Sequence, residues 1–239
     1  LTQEGIFGYG DGSELSMTNL VSNAGVVSTD VTGVGTARSG IAACEYGNDK
    51  GIFGYGYDPS YVSMTNLVSN TGVVGADVTG VGTGRSDLAA CTYGGDKGIF
   101  GFGNDDIAPK LGMSNLVTNL GVVGTDVAAV GTARGSLSAC EYSTNKDKAI
   151  FGFGHDAVSG RVSMTNLVSN VGVVASDTTG VGVAKLGSTA CDYGGDKGIF
   201  GYGAGLTNVS NLVSNVGVVG DDVAGVGTAR RLLAACSFN

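Results

Sequence analysis

The chain is poor in several things at once: it has no tryptophan, one histidine, two prolines and only 14% charged residues. Each shortage excludes something. A lone histidine, His155, cannot furnish a multi-histidine metal site. Apolar runs are also short, because Gly, Asn, Ser or Asp interrupts each within a few positions. None approaches the roughly 18 consecutive apolar residues of a membrane-spanning helix, so no membrane insertion is expected. Basic residues are scarce: 13 Lys and Arg stand against 21 Asp and Glu, a formal net charge of −8. That balance argues against nucleic acid as a partner, since binding its backbone depends on counterions displaced by basic side chains. No GxSxG, HExxH or GxxxxGK[ST] is present, so no catalytic residue, metal or cofactor is assigned. With 42% hydrophobic residues, the low charge also excludes an intrinsically disordered chain.

What is abundant is glycine, 44 of 239 residues, and it recurs in register. GIFGYG at Gly5 returns as GIFGYG at Gly51, GIFGFG at Gly98, AIFGFG at Ala149 and GIFGYG at Gly198. Behind each copy come SMTNLVSN or a variant, GVV, an Asp (Asp30, Asp77, Asp126, Asp177, Asp222) and a basic residue. The basic residues are Arg38, Arg85, Arg134, Lys185 and Arg230, spaced 47, 49, 51 and 45 apart. Six positions after each stands a cysteine: Cys44, Cys91, Cys140, Cys191 and Cys236. A period of this size, built from short β-branched runs with a turn about every ten residues, indicates a propeller rather than helical repeats. Helices are further excluded by glycine every few residues and by the absence of a 3.6-residue apolar stripe.

Each unit offers four candidate strands, such as Leu88 to Gly94, Lys97 to Gly103, Gly112 to Asn119 and Gly121 to Val127. The expected fold is therefore all-β: a single five-bladed β-propeller over residues 1–239, with four antiparallel strands per blade. The blades run approximately 38–84, 85–133, 134–184 and 185–229, with the closing blade made from 230–239 plus 1–37. The step from Arg230 around the termini to Arg38 is 47 residues, within the observed spacing, so the two ends complete one blade and close the ring. The rival is an array cut from a longer repeat protein. The chain begins at Leu1 within a unit, which reads as a processed product or a fragment.

Residues repeated in every unit read as structural. The cysteines, on the predicted innermost strand, suit small buried thiols where blades converge, and their odd number argues against a disulfide framework. The residues after them, Glu45, Thr92, Glu141, Asp192 and Ser237, would line a central channel. They leave open a partly acidic ring able to hold a cation. The repeated Arg or Lys and the Asp eight residues before it could pair within or between blades. Asn pairs such as Asn66 and Asn70 are expected to satisfy turns.

Function is expected where the copies differ. Between the second and third strands the inserts read Asp11 to Leu15, Tyr57 to Val62, Asn104 to Leu111, His155 to Val162 and Ala204 to Thr207. These loops emerge on one face and carry Tyr57, Asp58, Tyr61, Asp105, Asp106, Lys110, His155, Asp156 and Arg161, the candidate ligand-binding residues. Tyr beside carboxylates and amides suits a carbohydrate or protein surface.

With Arg85, LAACTYG and GDKGIFGFG as its frame, the unit resembles the kelch repeat: Arg, a small-residue strand, a turn, then an apolar strand ending in glycines. It departs from kelch in having Gly-Tyr-Gly or Gly-Phe-Gly in place of a Gly-Gly doublet, and in lacking the last-strand aromatic. The wording IFGYG, SMTNLVSNTGVV and DVTGVGTAR is similar to repeat proteins of tailed bacteriophages and environmental viral sequences. That resemblance implies an extracellular or virion setting, with a cell-surface glycan, a cell-surface protein or a virion protein as partner. A structural spacer ring is the alternative, and a metal-assisted hydrolase a third reading without a cluster to support it.

Overall fold

The structure is a computed structural model, described for residues 5–11, 13–107, 110–205 and 207–237. Residues 1–4, 238 and 239 of the expected closing blade, and Gly12, Ala108, Pro109 and Leu206 of the inserts, lie outside the described residues.

The described residues form strands only, without helix. The strands are β1 (Gly5–Gly10), β2 (Leu15–Val21), β3 (Ala42–Tyr46), β4 (Lys50–Gly54), β5 (Tyr57–Asp58), β6 (Ser60–Tyr61), β7 (Thr65–Val68), β8 (Ala89–Tyr93) and β9 (Lys97–Gly103). They continue with β10 (Leu111–Val117), β11 (Arg134–Gly135), β12 (Ser138–Tyr142), β13 (Lys148–Gly152), β14 (His155–Asp156), β15 (Thr165–Val168), β16 (Thr189–Tyr193), β17 (Lys197–Gly201) and β18 (Ser210–Val213). Four of the units form antiparallel three-stranded sheets, β3–β4–β7, β8–β9–β10, β12–β13–β15 and β16–β17–β18. The register repeats: Cys44 stands opposite Ile52, Cys91 opposite Ile99, Cys140 opposite Ile150 and Cys191 opposite Ile199. The first unit has only the pair β1–β2, and residues 232–237 join no ladder.

The fourth expected strand does not form as a regular ladder strand. In the second full unit, the stretch after β10 meets it only at Val117 opposite Val123 and Ser114 opposite Val127. Three steps on one strand face four on the other, so an extra residue bulges out and interrupts the ladder. The Asn115 amide fills the break by donating to the Gly124 carbonyl at 3.0 Å and to Asp126 Oδ1 at 2.9 Å.

The core lies between sheets rather than within one. One cluster joins Ile52 and Tyr55 to Phe100 and Val117, a second joins Ile99 and Phe102 to Phe151 and Val168, and a third joins Ile150 and Phe153 to Phe200 and Val213. This explains why β9 is buried along nearly its whole length instead of alternating. It also explains the glycines of GIFGFG. A Cβ on Gly101 would lie 2.7 Å from the Phe151 ring, so only glycine lets that ring sit under Phe102, centroid to centroid 5.2 Å.

The basic residue beginning each unit clamps it to the one before. The Arg38 guanidinium lies 4.5 Å over the Tyr9 ring of the preceding unit, while its Nε donates to the Tyr55 carbonyl at 2.8 Å and its Nη2 to Asn66 Oδ1 at 2.6 Å. Asn66 in turn donates to Asp77, whose other oxygen accepts from the Thr36 amide and hydroxyl. Arg85 over Tyr55 and Arg134 over Phe102 repeat the arrangement, and Lys185 over Phe153 keeps the ring contact and a 2.6 Å bond to Asn211. All four cations are fully buried. Such a burial is tolerable because nearly every one of these side-chain nitrogens has an acceptor; the Arg85 Nε is the exception. Thus Asp77 serves Arg38, not Arg85, which follows it in sequence.

Candidate ligand-binding site

The insert after β4 folds back as the hairpin β5–β6, with Tyr57 opposite Tyr61 and Asp58 opposite Ser60. Reciprocal bonds between Tyr57 and Ser39, at 2.9 and 3.0 Å, fasten the hairpin to the stretch that enters its unit. The two tyrosine rings meet edge to face, centroids 5.2 Å apart. They form one wall of a cleft of about 420 Å³ completed by Asp11, Ser39, Gly40, Ser86, Asp87 and Asp106. Three consecutive units contribute to it: the first supplies Asp11, the second the tyrosines, the third Asp87 and Asp106. Burial, then the nearby charges of Asp106 and Asp87, raise the Tyr61 hydroxyl above its usual range, so it stays a neutral donor beside acceptors.

A second hollow, of about 250 Å³, is lined by Lys110, Thr132, Ala133, Asp156, Ala157 and Val158. Asp156 is buried and accepts the amides of Val158, Ser159 and Gly160 on one oxygen. Burial works against its ionisation, yet those amides hold it below the usual carboxylate range. Its role is to shape its own loop. Asp105 does the same on a smaller scale, accepting the Ile107 amide at 3.0 Å. Lys110 donates to Asn104, which donates to Asp87, linking the floor of one hollow to the wall of the other.

Of the residues expected to bind ligand, the structure brings Tyr57, Tyr61 and Asp106 together, and sets Lys110 and Asp156 in the second hollow. Asp58, Asp105, His155 and Arg161 line neither. His155 opposes Gly135 and bridges to Arg161, with its Nδ1 buried and unbonded. Sequence reasoning missed Asp11 within its insert, and Ser39, Ser86 and Asp87, which lie just after the basic residues. The missed signal is the second position after the basic residue: Gly40, Asp87, Ser136, Gly187 and Leu232 are of four residue types although all hold φ between 52° and 61°.

Near the inner strands a second acidic group is answered internally. Lys146 Nζ lies 3.3 Å from Asp192 and 3.9 Å from Glu141, and the Ser237 hydroxyl donates to Asp192. Burial, then Asp192, push Glu141 up to about 7 despite Lys146. The same influences raise Glu45 on β3. Among the described residues, no group of three or more His, Cys, Asp or Glu could hold a metal ion. All five cysteines are free; Cys91 and Cys140 are buried, Cys44 and Cys191 half-buried and Cys236 exposed. Burial pushes the Cys44 thiol up to about 12 and raises Cys91 and Cys140 as well, which leaves them unreactive.

No family model matches the chain, and no curated protein does.

Proposed function

We propose that this chain is a non-enzymatic binding module, a five-bladed β-propeller closed across its two ends that recognises a cell-surface glycan through the loops of one face. The setting we infer for it is a virion or other extracellular surface, as the resemblance of its repeat wording to phage repeats implies. The observation that carries the reading is the cleft in which the Tyr57–Tyr61 pair stands opposite Asp106 and Asp87. Aromatic faces stack on the C–H surface of a sugar, and carboxylates accept its hydroxyl hydrogens. The core lying between successive sheets supports a ring of blades.

The test is binding of the purified protein to a broad array of glycans and bacterial surface polysaccharides. A parallel variant has the loops at 57–62, 104–111 and 155–162 replaced by the short insert at 204–207. Specific binding lost in the variant supports the reading; binding that survives the replacement refutes it. One observation favours the structural alternative. Val26, Val73, Val122, Val173 and Val218 are each at least 60% exposed beside the turn after the third strand, so a repeated apolar position serves no core. Ordered self-assembly that persists after the loop replacement would select that reading.

A further inference from the structure

Four junctions between consecutive units are complete, and one is divided between the two ends of the described chain. Phe53, Phe100, Phe151 and Phe200 are buried against Tyr9, Tyr55, Phe102 and Phe153, but their counterpart Phe7 is 53% exposed. Gly8, Gly54, Gly101 and Gly152 each have the next phenylalanine ring against them, whereas Gly201 faces nothing within 4 Å. The turns at Gly72, Gly121, Gly172 and Gly217 rest on Leu20, Leu67, Leu116 and Leu167. The turn at Gly25 rests on nothing, and Leu212, which would receive it, is 40% exposed.

The polar network is split in the same way. Arg230 stacks 4.0 Å over Tyr202 and donates to the Thr228 carbonyl, the half of the clamp that belongs to the preceding unit. Asn19 already donates to Asp30 and to the Ser28 carbonyl, the half that belongs to the following unit. In the complete junctions these halves meet.

We propose that the exposed face of the last unit and the exposed face of the first are a latch that closes within one chain. On closure Arg230 donates to Asn19 Oδ1 and the Tyr9 carbonyl, Thr228 caps Asp30, and Phe7 seats on Gly201 beside Tyr202. Residues 232–237 then pair antiparallel with β1, Cys236 opposite Ile6, in the register of the other four units.

The occupant of each face is the chain's own other end, because both ends already hold their places. The Leu232 amide donates to the Gly187 carbonyl at 2.8 Å, repeating the Gly187 to Ser136 and Ser136 to Asp87 bonds, and Ser237 reaches Asp192. At the other end, Gly8 sits on Phe53 as Gly54 sits on Phe100. The latch rests on the five-unit ring reading and is independent of any ligand. Each complete junction also shows what closure brings, a buried cation held between two units and a phenylalanine ring taken out of water, and pairing of 232–237 with β1 adds a ladder that removes an unpaired strand edge.

The experiment is an Ile6→Cys variant of the full chain, which sets a thiol opposite native Cys236, oxidised and run without reductant. The expected product is an internally cross-linked monomer that is lost in Ile6→Cys with Cys236→Ser. It should also be absent from Phe7→Cys, whose side chain points to the opposite face of the strand. Disulfide-linked dimers or ladders would show the two faces joining between copies and overturn the proposal, as would a folded variant that forms no cross-link. Hydrogen exchange on the unaltered protein covers the case in which the variant does not fold. Amides of 232–237, and those of β1 that do not face β2, should exchange about 100-fold or more slower than in an unstructured peptide; unprotected amides there overturn the latch. A protected seam without glycan binding sinks only the recognition reading, and glycan binding with an unprotected seam sinks the latch and the closed ring while leaving recognition standing.

Discussion

The junctions between units and the loop face use the same side chains to opposite ends. Tyr55 is fully buried under Arg85 with its hydroxyl on the Val81 carbonyl, whereas Tyr61 stands in the wall of a cleft. Asp126 accepts from Asn115 and Thr83 and lies 4.0 Å from Arg85, while Asp106 faces the space in front of the tyrosines. Where the unit repeats, polar groups are consumed by one another; where it diverges, some of them, Tyr61 and Asp106 among them, line a cleft. The difference teaches that repetition marks the groups that pay for burial with partners, and divergence marks those available to something else.

The largest effect should come from breaking a junction. Arg134→Ala strands Asn166 and the Phe153 carbonyl without their donor and should lower stability by about 3–5 kcal/mol in a denaturant titration. Gly101→Ala forces a methyl to within 2.7 Å of the Phe151 ring and should cost about 1–3 kcal/mol by the same titration. On the loop face, Tyr61→Ala should weaken glycan binding tenfold or more, about 1.4 kcal/mol, while the unfolding midpoint shifts by less than about 1 kcal/mol in stability.

A smaller gain should come from Lys185→Arg. Lys185 bonds Asn211, where Arg134 bonds Asn166 and two carbonyls as well, so the replacement should add about 0.5–1.5 kcal/mol. Burial lowers the Lys185 pKa to about 8, so the unfolded chain holds the extra proton between about pH 8 and 10.5. Stability therefore rises with pH across that window, and the arginine variant should lose this rise. The smallest effect belongs to Glu141→Gln. With its folded pKa raised to about 7, Glu141 contributes stability that is present at low pH and lost as pH rises through 7; thermal midpoints at pH 5 and pH 8 should lie closer together in the variant.

Much of this frame was legible in the residues. The Arg-to-Cys spacing located the first strand of each three-stranded sheet, and GIFGFG the central strand and its close approach to the next sheet. What was not legible depended on contacts far apart in sequence. Asp30 lies eight residues before Arg38, yet Arg38 takes Asp77, because the chain must pass through a whole sheet before it returns to the junction. The fourth strand read as a strand by composition, but one extra residue breaks its ladder, and no pattern of hydrophobicity reports a bulge. Of the cleft, the tyrosines were visible as unusual loop residues. Asp87 was hidden within a repeated segment, at a left-handed position that other units fill with Gly, Ser or Leu.

The most direct test pairs two readings on one sample of a Tyr57→Ala, Tyr61→Ala variant: affinity for the glycan that the unaltered protein selects from the array, and the denaturant midpoint. Binding lost with the midpoint nearly unchanged is the predicted result, since these rings serve the cleft and not the junctions. Binding retained, or lost only together with the fold, would contradict the separation of a repeated scaffold from a divergent recognition face.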